Sequence, residues 1–262
     1  MMKRWITFDL DGTLMQNPFV EWIFPEIVCT INQQLNQVID IQELILEEHE
    51  IRMKENRIVD AYDWDDIVSK VIEKLNIPIK VDVTQLVKKH AVIPKIYLLE
   101  NNILTSLNEL KKTGYSLAAV TNGYSFYQVP VMKELGLDIL FDKVITPDLC
   151  GYAKPDERIL NQLLDDGEIF AHIGDRIDHD IILANKLGIT SVLIHRNLPS
   201  NLIEIPFDKR NEDDQLLKLC EVKWRAENRS TAPFVNEGIP NYVISSIEEL
   251  IIWGQVPCPK AD

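Results

Sequence analysis

Two textures alternate along this chain. Unbroken apolar runs rich in β-branched residues occur at Trp5–Phe8, Tyr115–Val120, Ile169–Ile173 and Ile189–His195, with shorter ones at 142–146 and 242–245. Such runs mark strands buried on both faces, as in a parallel sheet. Between them, apolar residues recur at helical spacing. Ile103, Leu104, Leu107 and Leu110 form one stripe, stopped by Lys111-Lys112-Thr113-Gly114, where glycine suits the C′ position and lysines suit the helix's negative end. Ile159, Leu160, Leu163 and Leu164 form another behind Pro155, which fits a first helical turn. Ile181, Ile182, Ala184 and Leu187 form a third, closed by Gly188. Helices are also expected over about 124–135, kinked or started by Pro130, and over 247–253. Strands alternating with helices predict an α/β fold.

Residues 19–90 differ, because they contain no glycine and show only helical periodicity. Ile23, Ile27, Ile31 and Leu35 follow i, i+4. Leu44 and Ile45, then Trp64, Ile67, Val68, Val71, Ile72 and Leu75, mark further amphipathic helices. Asp63, Asp65 and Asp66 suit the acidic first turn of the last of these, and Thr84 is placed to cap a short helix reaching His90. Phe19, Trp22, Phe24 and Trp64 are expected in the core. The chain therefore interrupts its sheet, directly after the first strand, with a helical insertion.

A length of 262 residues, 46% of them hydrophobic, supports one large domain or two modest ones. The net charge of −14 argues against a nucleic-acid polymer or an anionic membrane as partner. It also means that an anionic substrate needs a local positive site. Cys29, Cys150, Cys220 and Cys258 form no CxxC pair and fit a reducing cytosol. Asp9 and Asp11 interrupt the apolar run after Lys3 and Arg4 too early for a signal peptide. A cytoplasmic protein is expected. Oligomeric state is not legible.

The chemistry gathers where strands end, the place where open α/β sheets bind ligands. The first strand stops at Asp9-Leu10-Asp11-Gly12-Thr13. Two carboxylates this close favour a bound cation such as Mg²⁺, or a proton on one of them, or a split into nucleophile and general acid/base. An ordinary Asx-type turn has the same composition. The second run stops at Thr121-Asn122-Gly123, a small turn whose hydroxyl and N–H donors suit phosphate oxygens. Lys154 precedes Pro155, which holds it extended. The run at 169–173 ends in Gly174-Asp175-Arg176-Ile177-Asp178-His179-Asp180. His172 is expected as a packed core residue and His179 as a loop residue. The segment 197–240, with a helical hint at Leu216–Leu219 and a polar run from Arg225 to Thr231, takes no assignment.

In order, these motifs resemble the haloacid dehalogenase superfamily, and within it the phosphatase-like members. The resemblance covers Trp5 to about His195 and the strand near Tyr242. It implies a Rossmann-like parallel-sheet core with helices on both faces, formed by residues 1–17 and 95–262, and an α-helical cap, 18–94, inserted after the first strand. It implies Mg²⁺-dependent hydrolysis of a small phosphorylated metabolite through an aspartyl-phosphate. Asp9 would be the nucleophile and Asp11 the general acid/base. Thr121 and the Asn122 backbone would bind the phosphoryl group, and Lys154 would neutralise charge there. Asp9, the Asp11 carbonyl, Asp175 and Asp180 would form the metal site, with Asp178 the competitor for the last place. Phosphate-ester cleavage benefits from Asp11, whereas dehalogenation does not require it. A phosphomutase and a non-catalytic binding protein of the same fold are the alternatives.

Overall fold

A computed structural model describes residues 2–35, 39–228 and 233–254. Six parallel strands form the central sheet in the order β5-β4-β1-β6-β7-β8. They are β1 (Lys3–Phe8), β4 (Ser116–Val120), β5 (Lys143–Ile145), β6 (Gly167–Gly174), β7 (Thr190–Ile194) and β8 (Tyr242–Ile244). A separate antiparallel pair, β2 (Met15–Gln16) and β3 (Tyr97–Leu98), closes the base of the helical insertion. The chain adds β4 and β5 on one side of β1 and then returns to place β6 on the other. That reversal opens a crevice at the carboxyl end of β1.

Alternation along the strands distributes the core between two faces. Ile6, Phe8, Leu117, Ala119, Ala171 and Ile173 pack with α5 (Ile103–Lys112), α6 (Ser125–Glu134) and α12 (Glu249–Gly254). Trp5, Ala118, Val120 and Ile169 point the other way, against α8 (Asn161–Leu164) and α9 (Ile182–Lys186). Helices thus cover both faces of a parallel sheet, and the fold is α/β and Rossmann-like.

The insertion consists of a π-turn (Phe19–Ile23), α1 (Phe24–Asn32), α2 (Ile41–Lys54), α3 (Trp64–Lys74) and α4 (Val83–His90). Ile23, Ile27, Ile31, Ile45, Ile67, Val68 and Val71 are buried, as the periodicity predicts. Asp63 caps α3 by accepting from the Asp66 N–H. The cap of α4 is Asp82, not Thr84, because the Asp82 carboxylate reaches the Gln85 N–H while Thr84 bonds to Asp65. Arg52, 1% exposed, ties the insertion together through Glu48, Asp66 and the Asp60 carbonyl.

Two other expectations are corrected, and the unassigned segment takes form. Pro130 lies inside α6, which starts at Ser125. The stretch after Lys154 is a 3₁₀ turn (Glu157–Leu160) followed by α8. Its cap is Asp156, so Pro155 precedes the first turn, and Leu164 is 42% exposed rather than inward. The segment 197–240 is a packed layer: α10 (Ser200–Ile203) and α11 (Asp214–Asn228) bury Leu202, Leu216, Cys220 and Trp224 against Leu193, Val243, Ile177 and Ile181. Between β5 and α8 lies one more short helix, α7 (Pro147–Cys150). Among the described residues no helix is long and apolar enough to cross a membrane. Cys29, Cys150 and Cys220 are free thiols, and Cys258 and residues 229–231 of the polar run lie outside the described residues.

Candidate active site

Asp9 follows the last residue of β1, and its N–H extends the ladder to the Ile173 carbonyl at 2.8 Å. The chain then turns sharply at Gly12, whose φ of +80° places an imagined Cβ only 2.6 Å from an Asp175 oxygen. Only glycine lets the two motifs approach this closely. The turn is held from outside by Arg196, which donates to the carbonyls of Gly12 and Thr13 at 2.8 and 2.6 Å and pairs with Glu100 at 2.7 Å. Thr13 donates to Asp9 and Asp175 at 3.3 and 3.4 Å.

Lys154 is 2% exposed, and its Nζ lies 2.6 Å from both Asp9 Oδ1 and Asp180 Oδ1. Its backbone is bracketed by Asn122. The amide oxygen accepts from the Lys154 N–H at 2.7 Å, and Nδ2 donates to the Lys154 carbonyl and to Tyr62 Oη, each at 3.0 Å. The Asn122 side chain is therefore engaged in placing the lysine and in joining the core to the insertion. Thr121 is 2% exposed, and its hydroxyl accepts from the Gly123 N–H at 3.2 Å.

Asp180 belongs to a π-turn (Ile177–Ile181), and the bulk of its carboxylate fills the space where a Cβ on Gly174 would sit. Besides Lys154, it accepts from the Arg176 N–H at 3.0 Å and from His172 Nε2 at 3.1 Å. Asp178 instead faces Arg176, in a two-point pair at 3.0 and 2.7 Å. One oxygen each from Asp9, Asp175 and Asp180 lies within 4.8 Å of the others. The expected ligand Asp180, and not Asp178, joins that cluster. His179 sits in the π-turn rather than a loop, and burial lowers its pKa to about 4.

The electrostatics follow from burial. Asp11 is pushed up to about 7 by desolvation and by the charge of Asp9. Its Oδ2 accepts from Gln128 Nε2 at 2.5 Å, while among the described residues its buried Oδ1 has no hydrogen-bond partner. Desolvation and Asp9 likewise raise Asp175 to about 7. Desolvation also raises Asp9, against the pull of Lys154. Desolvation opposes ionisation of Asp180 too, but Lys154 and His172 outweigh it and hold that carboxyl well below the usual range. Four buried or nearly buried acids share one lysine. The cluster is short of positive charge, and its oxygen-only donors suit a hard cation such as Mg²⁺.

Four contributors lay outside the sequence reading. Gln128 on α6 holds Asp11. His172, expected as mere packing, bonds Asp180 and, through Nδ1, lies 2.8 Å from the Thr7 hydroxyl. Arg196 pins the first turn. Glu227, from α11, accepts from the N–H groups of Ile177 and Asp178 at 2.8 and 3.3 Å and so braces the turn carrying Asp180. Only the His172 strand position carried a signal, since a polar residue amid an apolar run must find a partner. Above the site lies a cavity of about 590 Å³ whose lining includes Phe19, Phe24, Tyr62, Trp64 and Tyr127. Phe19 and Phe24 are buried as expected and yet line this cavity, whereas Trp22 is 40% exposed and stacks on His90.

Residues 3–188 match the model of the haloacid dehalogenase-like hydrolases. A glyceraldehyde 3-phosphate phosphatase of Methanocaldococcus jannaschii is 33% identical over 201 residues, covering 74% of this chain and 85% of that protein. A phosphoglycolate phosphatase of Vibrio cholerae is 35% identical over 101 residues, 37% of this chain and 44% of its own length. Among solved structures, a HAD phosphatase from Thermococcus onnurineus superposes with a TM-score of 0.64 at 23% identity, covering 95% of this chain and 96% of that one.

Proposed function

The chain belongs to the haloacid dehalogenase-like hydrolases, and on that premise we propose that it is a Mg²⁺-dependent phosphatase acting on a small phosphorylated metabolite. The observation that carries this reading is the pairing of Asp9, held by Lys154, with Asp11, which Gln128 orients and which burial and the charge of Asp9 push up to about 7. The names of the two curated relatives support the same reaction class.

In the proposed reaction an Asp9 oxygen attacks phosphorus and the bond to the ester oxygen breaks. Asp11 delivers its proton to the departing alkoxide, leaving an aspartyl-phosphate. Asp11 then takes a proton from water, whose oxygen attacks phosphorus and releases phosphate and free Asp9. A carboxyl near 7 is suited to both directions of proton transfer. The Thr121 hydroxyl and the Asn122 backbone would meet the phosphoryl oxygens, and Lys154 would offset charge as it moves from Asp9 to phosphate. Mg²⁺, held by Asp9, Asp175 and the Asp11 carbonyl with Asp180 behind, would supply further positive charge. Residues 18–94 act as a cap over the core of 1–17 and 95–262, excluding water in the first step. Free thiols at Cys29, Cys150 and Cys220 support a cytoplasmic setting.

The test is phosphate release from a panel of phosphomonoesters with Mg²⁺ and with EDTA. Turnover that needs the metal and vanishes in Asp9→Asn supports the mechanism; turnover retained in Asp9→Asn overturns it.

A further inference from the structure

Resting on that phosphatase reading, we infer that His49 and Tyr62 of the insertion recognise a hydroxyl on the alcohol half of the substrate, so that the preferred esters are phosphorylated sugars or polyols. Both side chains line the cavity above the catalytic acids. Backbone groups, whose roles cannot change, fix which of their atoms donate and which accept. His49 Nδ1 lies 2.6 Å from the Ala61 carbonyl, which can only accept, so Nδ1 carries a hydrogen. In the neutral ring Nε2 is then an acceptor. Among the described residues no protein group donates to it. The Lys154 N–H donates to Asn122 Oδ1, and the Lys154 carbonyl accepts from Asn122 Nδ2, so the amide has one orientation. Nδ2 therefore donates to Tyr62 Oη at 3.0 Å, and the phenol keeps its own hydrogen to give. Burial raises the Tyr62 phenol above its ordinary value, which holds that hydrogen in place.

The two rings are held as a unit. Tyr62 ends a 3₁₀ turn (Asp60–Tyr62), and α2 grips that turn twice, through His49 at the Ala61 carbonyl and Arg52 at the Asp60 carbonyl, at 2.6 and 2.8 Å. The His49 ring meets Tyr62 edge-on at a centroid distance of 5.5 Å and stacks on Trp64 at 5.3 Å with an interplanar angle of 23°. One acceptor and one donor thus stand on adjacent rings whose orientations are set before a ligand arrives. A hydroxyl both donates and accepts, so a single hydroxyl, or two on neighbouring carbons, can satisfy the pair. An ether or a carbonyl only accepts and leaves Nε2 unmatched, while an ammonium only donates and leaves the phenol unmatched. A polar atom shut away from water without a partner weakens binding.

The deciding measurement compares kcat/KM with Mg²⁺ within pairs of esters that differ by one hydroxyl: ribose 5-phosphate with 2-deoxyribose 5-phosphate, and glucose 6-phosphate with its 2-deoxy and 3-deoxy forms. At least one hydroxylated ester is expected to lead its deoxy partner by about tenfold or more. His49→Asn keeps an amide N–H near the Nδ1 position but has nothing at Nε2, and Tyr62→Phe keeps the ring without its Oη. Each should shrink that ratio severalfold, a change that a smaller folded fraction cannot produce, since it lowers both members alike. His49→Gln, whose amide oxygen reaches the Nε2 position, should restore most of the ratio. Equal efficiency on both members of every pair overturns the hydroxyl inference and leaves the phosphatase reading standing. A preference undiminished in either variant overturns the part assigned to that residue. No hydrolysis of any ester with Mg²⁺ overturns the phosphatase reading together with this one.

Discussion

The floor of the cavity and its wall are built in opposite ways. The floor, at the ends of β1, β4 and β6, gathers Asp9, Asp11, Asp175 and Asp180, and Lys154 and Gln128 fix Asp9, Asp180 and Asp11 in place. The wall, from the helical insertion, is aromatic, and its polar bonds run mostly within the insertion, around Arg52 and Asp65. The two meet at a few points, such as Asn122 with Tyr62 and Tyr127 with Asp65. A site divided in this way can hold one chemistry in the floor while the wall sets which alcohol is accepted. The floor, moreover, is supported from an unexpected quarter: α11, after the last motif, supplies Glu227 beneath the turn carrying Asp180.

The sharpest way to break that division is at its centre. Asp9→Asn should lower phosphate release by roughly 10³-fold or more for every substrate alike, because the amide cannot serve as nucleophile. A substrate-dependent loss would mean that floor and wall are not separable. Next in size is Arg52→Met, which leaves the buried Glu48 with Lys74 alone and frees Asp66. Calorimetry should record a destabilisation of about 3 kcal/mol, tempered by the half-exposed Asp66. If the division holds, this variant raises KM more than it lowers kcat at temperatures where it remains folded.

Glu227→Leu removes the acceptor for two backbone N–H groups next to the acidic cluster. Mg²⁺ affinity, read from the metal-dependent rise in melting temperature, is expected to weaken about tenfold. Glu227→Gln keeps an acceptor oxygen and should recover most of it. Equal affinity in the leucine variant would remove α11 from the site.

The smallest effect concerns pH. Asp11 and Asp175 have folded pKa values raised from 3.8 to about 7, so their contribution to stability is full below about pH 3.8 and is lost as pH rises through 7. In EDTA the melting temperature should therefore fall by a few degrees between about pH 5.5 and about pH 8. Mg²⁺ should flatten that slope, since a cation favours the ionised carboxylates. A slope unaffected by Mg²⁺ would argue against metal at Asp175.

What the sequence determined by itself was local. Uninterrupted apolar runs ending in Asp9-Leu10-Asp11-Gly12, Thr121-Asn122-Gly123 and Gly174-Asp175 announce buried strands with polar groups at their carboxyl ends, because nothing else tolerates that pattern. Glycine-free periodicity from 19 to 90 announces a helical insertion for the same kind of reason. Tertiary structure alone decided the rest. Spacing within the resemblance already favoured Asp180 over Asp178, but that its carboxylate lies over Gly174, beside Asp9 and Asp175, follows from a π-turn. Gln128, Arg196 and Glu227 are ordinary residue types lying respectively 117 residues from Asp11, 183 from Thr13 and 50 from Ile177. Such contacts leave no trace in any short window of sequence, since a hydrogen bond is set by distance and direction in space. Only the folded sheet brings those partners within reach.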